Sequence, residues 1–109
     1  SQSFDITLLI DFFGKGNITR GINRYLDTIE RITREVMIVS ARNYYRIEKH
    51  FNGHLDTLIS LYSSDYVRNK RFYLIEYISD YFKENWELTI LSPADHDIGS
   101  KKTLHFHRK

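Results

Sequence analysis

The sequence predicts an α+β domain, a mostly antiparallel sheet with helices on one face, in the manner of a ferredoxin-like sandwich. Three observations carry this. Phe4 to Phe12 alternate apolar side chains with a period of two; the residues after Ile18 repeat them at three and four; and alternation returns at Trp86–Ile90 and Leu104–Phe106. The alternative is a helical domain with a C-terminal β-hairpin as a wing. A chain of 109 residues with one proline, no cysteine and 41% hydrophobic residues fits a single domain, 1–109, able to build a core without disulfides or a structural metal.

In the first segment Phe4, Ile6, Leu8, Ile10 and Phe12 share one fully apolar face, so this strand is expected to bury its even-numbered side, Leu8 included. Gly14-Lys15-Gly16 breaks it, and Asn17 is placed to cap the next element. Ile18, Ile22, Tyr25, Leu26, Ile29, Ile32 and Val36 then line one stripe of a helix running to Glu35, with Gly21 its one internal flaw. Residues 36–51 read as two strands, or as more helix, because Val36, Val39, Tyr44, Ile47 and Phe51 are nearly helical in spacing. Leu55 to Tyr62 is a short helix after Asn52-Gly53, Phe72 to Phe82 a longer one, and two strands joined by a polar loop end the chain.

Sixteen Lys+Arg against fourteen Asp+Glu leave a net charge of +2, so any basic function must come from local clustering. No cysteine means no disulfide framework, thiolate metal site or thiol nucleophile, and fits a reducing, cytoplasmic setting. No apolar run reaches the ~20 residues of a membrane helix, and no membrane partner is expected.

Three basic groupings stand out. On the helix from Ile18, Arg20, Arg24, Arg31 and Arg34 fall within about 80° of one another, a row suited to successive phosphates. The plainer reading pairs Asp27 with Arg31 and Glu30 with Arg34 across one helical turn. Arg68, Lys70 and Arg71 interleave with Tyr66, Phe72 and Tyr73, a mixture that grips single-stranded nucleic acid if the rings are exposed. Lys101 and Lys102 begin a wholly basic C-terminal stretch.

A histidine grouping offers different chemistry. His105 and His107 leave one face of a predicted strand, and with His96 and Asp97 of the preceding loop they form a candidate site for a divalent metal; otherwise they belong to a solvated basic tail. The His105-Phe106-His107 pattern is similar to the metal-binding pair of rolling-circle replication and transposon nucleases, and over these three residues it implies metal-dependent nuclease chemistry. Leu9-Ile10-Asp11-Phe12-Phe13-Gly14 resembles the centre of the LAGLIDADG homing-endonuclease signature, with Phe13 in place of its metal-binding acid. Phosphate-loop, GxSxG and HExxH patterns are absent, so the balance leans away from catalysis and the expectation is no cofactor. The leading expectation is a small nucleic-acid-binding module for DNA or RNA. The second is a protein-interaction module, an adaptor, inhibitor or homodimerising subunit, since 15% aromatic residues exceeds what a small core readily hides. The nuclease-like site is third.

Overall fold

The computed structural model describes residues 4–91 and 101–109. The chain runs β1 (Phe4–Ile10), α1 (Lys15–Arg20), α2 (Asn23–Ile32), β2 (Thr33–Arg42), β3 (Tyr45–Arg46), α3 (Ile47–His50), α4 (Leu55–Tyr62), β4 (Val67–Arg68), β5 (Arg71–Phe72), α5 (Leu74–Phe82), β6 (Trp86–Leu91) and β7 (Lys101–Arg108). The class is α+β, and the main sheet is mixed, in the order β1-β2-β7-β6. Its β1–β2 pair is parallel and its other two pairs are antiparallel. In a split βαβ unit a third strand separates the parallel strands; here β1 and β2 are direct neighbours joined by α1 and α2. No helix among the described residues is long and apolar enough to cross a membrane.

The single helix expected over residues 18–35 is two helices and part of a strand. Gly21 sits at φ 100°, where a side chain is strained, and its N–H bonds to the Ile18 carbonyl as α1 ends. At the other end β-branched residues take over at Thr33, whose extended backbone ends α2, so Arg34 lies on β2. Asn17 is in the first turn of α1, not before it, and its side chain accepts the Gly14 N–H at 3.2 Å. The α1–α2 corner is clamped from α4. The Tyr62 hydroxyl donates to the Ile18 carbonyl at 2.6 Å and accepts the Ile22 N–H at 3.1 Å. Tyr62→Phe leaves that buried N–H without an acceptor and is expected to cost about 1–3 kcal/mol. Chemical denaturation measures this; a Tyr62→Phe variant as stable as wild type would show that the clamp carries no energy.

The register defines two faces of the main sheet. Thr7, Met37, Phe106 and Leu88 form one row and Leu9, Val39, Leu104 and Ile90 the next, and on this side the sheet meets its helices. Ile22, Leu26, Ile29, Ile78 and Phe82 supply the opposing apolar side chains, and the rings of Phe82 and Phe106 meet edge to face at 5.2 Å. The other face carries Ile6, Val36, His107 and Glu87, then Leu8, Ile38, His105 and Thr89, then Ile10, Ser40, Thr103 and Leu91. It is open. Phe4, Ile6, Leu8 and Ile10 retain 54%, 57%, 58% and 57% of their surface, so the even-numbered face of β1 is on the outside and the expected burial of Leu8 is corrected. Alternation says that one face is apolar; the placement of helices α2 and α5 on the odd-numbered side decides which face is covered.

A second unit inserts between β2 and α5. Strands β3, β5 and β4 form a small antiparallel sheet in that order, with the helices α3 and α4 between β3 and β4. Residues 36–51 are therefore one long strand, one short strand and one helical turn. Strands β4 and β5 are joined by Asn69-Lys70, both at positive φ of 53° and 60°, as a tight two-residue hairpin requires.

The C-terminal stretch is structural. β7 lies between β2 and β6, with Leu104 and Phe106 fully buried. The Arg108 guanidinium stacks 4.2 Å from the Trp86 ring and donates to the carbonyls of Glu30, Thr33 and Arg34, closing the end of α2. This bears out the strand expected around Leu104 and Phe106 and corrects the alternative in which His105 and His107 belong to a solvated tail: residues 103–107 are paired on both sides.

Candidate nucleic-acid interface

The small sheet gathers cations that are distant in sequence. Pairing of β3 with β5 sets Arg46 opposite Arg71 and Tyr45 opposite Phe72, and pairing of β4 with β5 sets Arg68 opposite Arg71. The 69–70 turn then carries Lys70 beside α3. The result is an open concavity of about 390 Å³ lined by Arg46, Glu48, Lys49, Asn69, Lys70 and Arg71, four cations against one carboxylate. Among the described residues none of these four cations forms an ion pair with a carboxylate, whereas Arg34, Arg68 and Lys101 pair with Asp5, Glu76 and Asp11.

Two tyrosines fix the guanidinium groups of this platform. Arg71 lies 4.4 Å from the Tyr44 ring centre and Arg68 4.2 Å from that of Tyr73, and the two rings lie 6.1 Å apart. Arg68 also donates to the Asp65 carbonyl and to both oxygens of Glu76, so it is anchored and its charge is neutralised. Burial raises the Tyr73 hydroxyl's pKa, yet hydrogen bonds from Asn69 and Arg71 and the charges of Arg71 and Arg68 outweigh this and bring it below the ordinary tyrosine value. A guanidinium held over a ring is preorganised, so that N–H groups it does not spend on the protein can meet a phosphate at low entropic cost.

No family model, curated protein or solved structure matches this chain. The geometry of the platform therefore carries the functional argument.

His50, at the end of α3, adds a pH-sensitive charge beside the platform. Its Nδ1 lies 3.1 Å from the Arg46 carbonyl and its Nε2 3.1 Å from Arg42 Nη1, an arrangement served by the neutral ring donating at Nδ1 and accepting at Nε2. Burial lowers its pKa most; the hydrogen bond to Arg46 opposes this, and the charges of Arg42, Lys49 and Lys15 lower it further. A histidine with a depressed folded pKa favours folding while it is neutral; that contribution is present above the unfolded value of about 6.5 and is lost as pH falls below it through the lower folded value. Thermal midpoints of wild type and His50→Gln are therefore expected to converge on acidification through that window. A gap that stays constant would show that His50 does not titrate against these groups.

The remaining sequence candidates disperse. Arg20 and Arg24 line a separate concavity of about 520 Å³ with Gly21, Asn23 and Leu61. Arg31 is in the last turn of α2, and Arg34 on β2 is paired with Asp5 at 2.9 Å, so the four-arginine helical row does not exist as a unit. The acids expected to pair with it serve packing instead: Tyr81 donates to Asp27, and the Trp86 indole donates to Glu30 at 3.0 Å. Lys101 pairs with Asp11 at 3.0 Å, and Lys102 is on β7 facing away from the His105 row. His105 and His107 do share the open face, with rings 4.5 Å apart. His96 and Asp97 lie outside the described residues, and among those described no three metal-ligating side chains come together.

Thus Arg68, Lys70, Arg71 and Tyr73 form one surface, and Arg46, Lys49 and Tyr44, which the sequence does not single out, complete it. The β3–β5 pairing joins residues far apart in sequence, Tyr45 with Phe72 and Arg46 with Arg71, and no local pattern announces it. The one usable signal is Asn69-Lys70 between two short apolar-basic segments, a turn that marks a hairpin.

Proposed function

We propose that this domain binds single-stranded nucleic acid through the β3–β5–β4 platform. The observation that carries the reading is the concavity in which Arg46, Lys49, Lys70 and Arg71 surround a single acid, beside guanidinium groups laid on Tyr44 and Tyr73. These four cations supply phosphate contacts, which are sequence-independent and dominate affinity. Stacked guanidinium planes and half-buried tyrosines give splayed bases a surface that discriminates little among them. The flanking helix α4 exposes Leu55, Asp56, Ile59 and Ser60, a face poor in positive charge, which disfavours seating it in the groove of a duplex.

Nuclear magnetic resonance titration with a short single-stranded oligonucleotide tests the location. Shifts are expected on residues 44–49 and 68–73. Saturable binding whose shifts cluster around Arg20 and Arg24, or on β7, would overturn the assignment.

A further inference from the structure

We propose that two copies of this chain pack face to face through the open side of the main sheet, forming a symmetric dimer. This surface is separate from the basic platform, and its apolar half is built from β1 and β2. Phe4, Ile6, Leu8 and Ile10 each keep more than half of their surface exposed. At about 200 Å² for a fully exposed large side chain, the four on β1 present on the order of 450 Å², within the range of the largest apolar patch on a typical monomer. Val36, Ile38, Thr89, Thr103, His105 and His107 extend the same face. With Val36 and Ile38 of β2, which the partner's β1 covers in this arrangement, it reaches roughly 600 Å² per partner, the size of a small interface that dissociates on dilution.

The shape and the distribution of polarity select the occupant. A broad pleated face of β-branched and leucine side chains packs best on another such face, at a spacing of about 10 Å. The opposite side of this sheet is already filled by α2 and α5, so among the described residues this is the flat apolar sheet face left open, and an isologous contact needs nothing else. With a twofold axis running along β1 and β2, the two apolar strips meet at the centre. The rows of His105, His107 and Glu87 then fall at the outer edges, giving an apolar core and a polar rim. Pairing of the free β1 edges would leave these side chains in water, which is why the face is preferred to the edge.

Sedimentation velocity over a micromolar to millimolar concentration range tests this without any nucleic acid. Wild type is expected at twice the chain mass, dissociating on dilution. Leu8→Arg is expected to weaken the dimer by about 100-fold or more, because the twofold axis counts each substitution twice and places like charges together. Leu8 is exposed, so the monomer should keep its circular dichroism spectrum. If Leu8→Arg fails to fold, Ile6→Thr with Leu8→Thr keeps strand-favouring side chains and removes the apolar surface, and is likewise expected at the chain mass. Wild type at the chain mass throughout the range overturns the proposal. So does a dimer that survives either substitution, since it would be held by the β1 edge or another surface.

Discussion

Reversing Lys49 and Lys70 to glutamate together is expected to weaken single-strand binding by about 100-fold at low salt while leaving the thermal midpoint nearly unchanged. Both side chains are exposed and line the same concavity, and among the described residues neither is paired with a carboxylate. Their replacement changes the local balance from four cations against one acid to two against three. A phosphate in the concavity lies within the ~10 Å Debye length at moderate salt, so it meets repulsion where it met attraction. Exposed substitutions away from packing features stay within about 0.5 kcal/mol of wild type in stability, which separates loss of binding from loss of fold. Fluorescence anisotropy and a melting curve on the same protein provide both readings. Undiminished affinity in a folded variant would remove the platform from the binding surface.

Phe106→Ala is expected to unfold the domain or bring it close to unfolding. Phe106 is fully buried on β7, between Met37 and Leu88 in the register and against Phe82 of α5 at 5.2 Å. Truncating a buried phenylalanine costs about 3–5 kcal/mol, a large share of the 5–15 kcal/mol by which a domain of this size is stable. The effect comes from the position of β7 in the middle of the sheet, where it joins β6 to the rest. A frayed terminal segment would tolerate the change. Denaturant unfolding distinguishes the two: a midpoint within a few tenths of a molar of wild type would contradict the central placement of β7.

The fold class was legible because it depends on periodicity. Alternation marks β1, β6 and β7, and the three-and-four spacing marks α4 and α5 close to their observed bounds, while for α2 it marks a helix but overruns it at both ends. Other features turn on decisions that periodicity does not make. The β1 pattern does not say which side receives helices, so it points Leu8 to the core although this residue is 58% exposed. The isoleucine stripe continues through Ile32 and Val36 at helical spacing, and β-branched preference together with pairing to β1 and β7 overrides it. The candidate site was half legible for the same reason. Arg68, Lys70, Arg71 and Tyr73 are adjacent in sequence, while Arg46, Lys49 and Tyr44 reach them through a long-range strand pair. The C-terminal cations look free because solitary charge is all that a sequence displays; Arg108 in fact closes the end of α2 and Lys101 pairs with Asp11.

The most direct test of the platform is the salt dependence of oligonucleotide affinity in wild type and in the Lys49→Glu, Lys70→Glu protein, followed by anisotropy across a series of salt concentrations. Four phosphate-contacting cations give a log–log slope of roughly −3 for a single strand, and loss of two contacts should bring it to roughly −1.4. That pair of slopes is the expected result. A wild-type affinity that is insensitive to salt, or a slope unchanged by the two reversals, would contradict binding at this surface.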